Sequence, residues 1–166
     1  MAEALLITRN DLVKLTILGG NVDTDKFIQF IKIAQDIHIQ NYLGTRLFRK
    51  IQDGIVNENL AEPYLSLLVD YVKPMLIHWA MLEYIPFSAY TIANKGVFKH
   101  SSENAENVEK VEVDFLVNKE RDIAQNYTQR FIDFMSFNSN QFPEYTANAN
   151  GDVYPDRKNY FSGWVI

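Results

Sequence analysis

The segment Ala61–Tyr90, AEPYLSLLVDYVKPMLIHWAMLEYIPFSAY, constrains the fold more than any other stretch of the chain. Leu65, Leu68, Val69, Val72, Leu76, Trp79, Ala80, Met81 and Leu82 do not keep to one stripe at helical spacing but wrap most of the way round. A helix that is apolar on nearly all sides is buried on nearly all sides, so this segment is expected to be the central element of the core. Pro63 fits the first helical position, where its missing N–H leaves nothing unsatisfied. Pro86 marks the end, because the residue before a proline disfavours helix. Pro74 lies inside and cannot bond the carbonyl of Asp70, which predicts a kink. Asp70, Lys73, His78 and Glu83 interrupt the run, so a membrane span is not expected.

The other elements are arranged around it. Thr8 or Asn10 can cap a short helix through Leu12, Val13 and Leu15. Asp23 or Thr24 can cap a first long helix running from about residue 25 to 42. Phe27, Phe30, Ile31, Ala34, Ile37 and Tyr42 share one face of it; Ile28 and Ile39 fall on one flank and Ile33 on the other. That breadth exceeds what one partner surface covers. Gly44 reads as a stop with positive φ, and Thr45 as the cap of a short helix with Leu47, Phe48 and Ile51 inward and Arg46, Arg49 and Lys50 outward. After Pro86 the pattern breaks up, with Gly96 interrupting it, and 99–110 is a polar loop containing Lys99, His100, Glu103 and Glu106. Leu116, Ile123, Tyr127, Phe131 and Phe134 then form the stripe of a last long helix reaching about Phe137.

From residue 138 there is no long periodic segment, and Pro143, Gly151, Pro155 and Gly163 exclude a long helix. The chain is therefore divided into a helical domain, 1–137, and an aromatic-rich tail, 138–166, expected to extend and dock on a partner surface. The fold class is all-α: a small helical bundle around a central apolar helix, with an extended C-terminal tail.

Composition and motifs narrow the function. With 166 residues, 47% apolar and 22% charged, the chain suits one globular domain. It has no cysteine, which removes disulfides and thiolate metal sites. A net charge of −5 argues against a dedicated nucleic-acid binder. None of His38, His78 and His100 sits in a metal-binding spacing, and His38 on an apolar face reads as a packed, hydrogen-bonded core residue. There is no phosphate-cradling glycine loop and no nucleophile elbow. No cofactor, metal or catalytic residue is expected, and the chain is not read as an enzyme.

The order of these parts resembles the head-to-tail connector (adaptor) proteins of tailed phages, and is most similar to the ring proteins of crAss-like phages. The resemblance is carried by Leu6-Ile7-Thr8-Arg9-Asn10-Asp11, by Gln35-Asp36 and by Tyr42-Leu43-Gly44-Thr45-Arg46-Leu47-Phe48 with Ile51. The apolar central helix, the polar insertion, the last amphipathic helix and Phe161-Ser162-Gly163-Trp164-Val165-Ile166 complete it. The resemblance implies a structural virion protein at the head-tail junction, made in the host cytoplasm. Its copies, usually about twelve, form a ring through which DNA passes without sequence-specific binding. Such a ring joins the portal to the next tail or ring protein, with no membrane involved. On this reading Tyr160, Phe161, Trp164, Val165 and Ile166 dock on the portal, and Ile28, Ile33, Ile39, Arg46 and Arg49 meet a neighbouring subunit. Lys99, His100, Glu103 and Glu106 face the lumen or a neighbour. The alternative is a helical DNA-binding module using the basic face of Arg46, Arg49 and Lys50.

Overall fold

The computed structural model describes residues 3–16, 24–88, 90–93, 96–99 and 110–158. Thr8 caps α1 (Arg9–Leu15) through a capping box: its hydroxyl accepts from the Asp11 N–H, and the Asp11 carboxylate accepts from the Thr8 N–H. The first long helix is α2 (Thr24–Ala34), a wide π turn (Gln35–Ile39) and the start of α3 (Gln40–Val56) in unbroken succession. Within α3, Gly44 leaves helical geometry at φ 77°, ψ 160°, so two helices meet at a corner there, as the helix stop predicts.

The central element is likewise continuous through α4 (Tyr64–Leu67), a second π turn (Leu68–Val72), α5 (Lys73–Tyr84) and a 3₁₀ turn (Ile85–Phe87). The predicted disturbance at Pro74 takes the form of that π turn. A proline ring crowds the carbonyl four residues earlier, and widening the preceding turn relieves the clash without ending the helix. By length and composition the stretch Tyr64–Phe87 could cross a membrane, yet more than half of it is buried inside the domain. It packs against both α2 and α6 (Lys110–Asn138). Val72, Met75, Leu76 and Ala80 are fully enclosed.

An antiparallel hairpin, β1 (Tyr90–Ala93) with β2 (Gly96–Lys99), follows in the register Tyr90↔Lys99 and Ala93↔Gly96. Gly96, expected to break the pattern, opens the second strand. The fold is an all-α bundle carrying this one short hairpin. His100, Glu103 and Glu106 of the polar insertion lie outside the described residues.

The isoleucine pattern of the first long helix departs from the sequence reading. Ile39, expected on a subunit interface, is 0% exposed, whereas Ile37, expected in the core, is 52% exposed. The π turn Gln35–Ile39 explains both. A wider turn advances by a smaller angle per residue, so everything after it lags behind the ideal helical wheel. That lag carries Ile39 inward and Ile37 outward, into line with Ile33. Ile39 is therefore a core residue and is removed from the interface set.

The tail is the second correction. Residues 138–158 do not extend from the domain. Phe142 is fully buried, edge-on to Tyr64 at 5.5 Å and against Phe134 at 6.2 Å. Tyr145, in the short helix α7 (Pro143–Thr146), is buried on Phe131. The boundary at 137 is thus not a domain boundary. The spacing of the aromatics was legible; that they belong to the domain's own core was not.

Candidate interaction surfaces

The helix corner at Gly44 organises the best-defined surface. In an unbroken helix the Thr45 N–H would donate to the Asn41 carbonyl. Gly44 breaks that bond and orphans both groups. The tail inserts itself between them: the Thr45 N–H donates to the Val153 carbonyl at 3.0 Å, and the Asp156 N–H donates to the Asn41 carbonyl at 2.7 Å. The Val153 N–H in turn donates to the Thr45 hydroxyl oxygen at 2.8 Å, so Thr45 serves the tail where a helix cap was expected. A Cβ on residue 44 would lie 2.7 Å from Pro155 Cγ and 3.2 Å from the Val153 carbonyl oxygen, so glycine is required by the close approach as well as by φ.

Side chains reinforce this strap. Arg46 Nε donates to Asp152 Oδ2 at 2.8 Å, and that hydrogen bond, with another from the Ala149 N–H, holds the Asp152 carboxyl below the usual range. Arg157 lies over the Tyr145 ring at 5.2 Å. Tyr64 donates to Glu144 at 2.6 Å; burial first, and the Glu144 carboxylate second, push its phenol up to about 12. Lys50 sits over the same Tyr64 ring at 5.5 Å. Arg46 and Lys50, two of the three cations offered as a DNA-binding face, therefore meet groups of their own chain. Arg49 is exposed, beside a shallow cleft of mixed charge that Glu3, Lys32, Asp36 and Asp53 also line. Hydrogen bonding to Asp36 raises the Lys32 ammonium there.

The second surface is apolar and uncovered. Ile28 is 45% and Ile33 37% exposed on different sides of α2. Ile33, Ile37 and Asn41 follow one another at four-residue intervals on a single outward stripe. A third patch lies on the first turns of α6, where Val111 and Phe115 are 75% and 68% exposed and point away from the face that buries Ala124, Thr128 and Phe131. Single exposed apolar residues are ordinary; stripes of bulky ones are what interaction surfaces present.

His38 and His78 are structural clamps. His38 Nε2 lies 2.7 Å from Glu83 and its ring stacks on Trp79 at 4.0 Å. His78 Nδ1 lies 2.8 Å from Glu120 and stacks on Tyr127. Trp79 donates to the buried Thr128 hydroxyl, which donates onward to the Ala124 carbonyl. The packed, hydrogen-bonded state expected of His38 is what is found. Each imidazole joins the central helix to a different neighbour. Among the described residues no group of three or more His, Cys, Asp or Glu is placed to hold a metal ion. Two glutamines perform a similar clamping role that sequence reasoning missed. Buried Gln35 accepts from the Leu6 N–H at 2.7 Å, and Gln35 and Gln52 both donate to the Ala4 carbonyl, fixing the N-terminal segment.

Of the residues assigned to portal docking, Tyr160, Phe161, Trp164, Val165 and Ile166 all lie outside the described residues. Lys99 closes β2.

The architecture so defined is a small all-α bundle whose broken first helix is stitched by its own C-terminal strap. Residues 39–155 match the family of unknown function DUF6712, and the chain belongs to that family. The matched region takes in both the Gly44 corner and the strap up to Pro155. No curated protein and no solved structure matches the chain.

Proposed function

We propose that this chain is a structural connector subunit: copies assemble into a ring, usually of about twelve, that joins the portal of a tailed phage to the next tail or ring protein. The observation that carries the reading is exposed apolar surface on two separate helices of one small domain, Ile28 and the Ile33–Ile37 stripe on α2 with Val111 and Phe115 on α6. A subunit in a head-to-tail ring uses two different faces, one for each neighbour, so separate apolar patches on one chain suit it. The internally buttressed core suits a rigid building block, and the acidic balance suits a channel that DNA must slide through. The connector resemblance set out above adds the portal as partner, with Tyr160–Ile166 as the docking segment and Phe161 and Trp164 as its anchors. The site of action is the head-tail junction of the virion, after synthesis in the host cytoplasm.

Negative-stain imaging of the full chain mixed with a portal particle tests this. Rings seated on the portal are expected, and removal of residues 159–166 abolishes attachment while the domain stays folded. Full attachment by the truncated chain would refute the docking role.

A further inference from the structure

We propose that two of the exposed apolar stripes are the halves of one interface: the Ile33–Ile37 stripe of α2 receives the Val111–Phe115 stripe of α6 from the next copy of this chain, with the two helices running in the same direction. The pairing rests on the connector reading and adds to it which faces meet and in what register. Both stripes have the same build. Each is a pair of bulky apolar residues four positions apart on an outward face, 37% and 52% exposed on α2 and 75% and 68% exposed on α6.

The direction follows from the fold. Phe27 and Phe30 meet Tyr84, while His38, further along, stacks on Trp79, so the first long helix runs against α5. His78 stacks on Tyr127 and Tyr71 on Phe134, so α6 runs against the central helix too. Within one copy α2 and α6 therefore run the same way. Neighbours in a ring of about twelve are turned by only about 30°, which keeps α2 nearly parallel to the next copy's α6.

The charges select the same direction. Two parallel helices that look at each other bring the preceding edge of one stripe against the following edge of the other. Lys32 and Asp36 each precede an isoleucine of the α2 stripe. Glu112 follows Val111, and Lys119 lies one turn beyond Phe115 toward the same edge. With Ile33 level with Phe115, Asp36 and Lys119 differ by about 1.5 Å along the axis, and Lys32 and Glu112 by about 3 Å. Both contacts join opposite charges. Run the other way, the same stripes set Asp36 level with Glu112, carboxylate with carboxylate. Lys32 already serves Asp36 and Glu3 in its own chain, so the contact that chiefly fixes the register is Asp36 with the next copy's Lys119.

The chain has no cysteine, so disulfides report only thiols placed by design. Full chains carrying Ile33→Cys and Phe115→Cys separately, each with the parent's thermal midpoint, are mixed and oxidised mildly over rising concentration. A disulfide joining position 33 of one copy to 115 of another is expected, formed faster than any in the unmixed samples. Ile37→Cys should couple to Asn118→Cys, the parallel neighbour, and not to Val111→Cys, the antiparallel one. Lys119→Glu on the Phe115→Cys chain should slow coupling about threefold, and Asp36→Lys on the Ile33→Cys chain should restore it. Unmixed samples that couple as fast as the mixture, coupling to position 111 in place of 118, no mixed disulfide, or a rate indifferent to the charge reversals would overturn the proposal. Rings seated on a portal without the mixed disulfide would keep the connector reading and discard this contact. The disulfide in chains that never seat on a portal would do the reverse.

Discussion

Gly44 and Thr45 show how a single position can tie sequence to architecture. Backbone at φ 77°, ψ 160° is essentially reserved for glycine, and Pro155 occupies the space a methyl would need. Gly44→Ala should therefore destabilise the fold by on the order of 2–3 kcal/mol. Urea denaturation with an unchanged slope is the check. Tyr64 gives a pH signature. Its phenol is raised from 10.0 to about 12, so the folded state holds that proton more tightly than the unfolded chain. The stabilisation it contributes is complete below pH 10 and fades as pH climbs toward 12. Tyr64→Phe should be less stable than the parent at neutral pH, and the gap between them should close across that alkaline window in pH-dependent melts. The glycine stop at 44 and the capping residue Thr8 were both legible in the sequence, because each acts on backbone within a few positions of itself. The exchange of Ile37 for Ile39 was not. It depends on a π turn, whose wider winding is set by tertiary packing and leaves no local mark in the amino-acid pattern.

Elements, in this chain, are defined by how their broken hydrogen bonds are repaired. The central helix absorbs Pro74 by a π turn; the first long helix is interrupted at Gly44 and repaired by the strap. The sequence marks Gly44 as a helix stop and Thr45 as the residue after it. That residues more than a hundred positions later repair the break could not be read locally. The same holds for Gln35 and Gln52, whose amide groups look like solvated helix polarity until the N-terminal segment lies against them. Removing the Thr45 hydroxyl as Thr45→Val leaves the Val153 N–H without its acceptor, a loss of about 1 kcal/mol. Amide hydrogen exchange should then quicken at Val153 and Asp156 and stay slow in α5. The strap should also respond to acid. The Asp152 carboxyl titrates below the usual range because Arg46 and the Ala149 N–H favour its charged form, so its contribution is intact above that range and is lost as pH falls through the lowered value. Exchange at Val153 should rise in that acid region in the parent and be insensitive to it in Asp152→Asn.

For the whole molecule, the contrast that matters is between apolar residues that complete the core and those that remain outside it. Ile39→Asp places a charge in a fully enclosed site and should unfold the domain, whereas Ile33→Asp should leave the thermal midpoint within a degree or two of the parent, roughly the spread of neutral surface changes. Ile33→Asp should nevertheless weaken association between copies. The bundle class and its central helix followed from the sequence because the run Tyr64–Phe87 is too apolar to sit anywhere else. The extended tail did not hold for 138–158, since aromatic spacing alone does not say whether Phe142 and Tyr145 fill a partner or their own domain. The most direct test of the claim that this is a ring subunit is sedimentation velocity of the chain ending at Lys158, over rising concentration. A single closed oligomer of fixed mass is expected to replace the monomer, with Ile33→Asp shifting the transition upward. A truncated chain that sediments as one copy up to its solubility limit would contradict it.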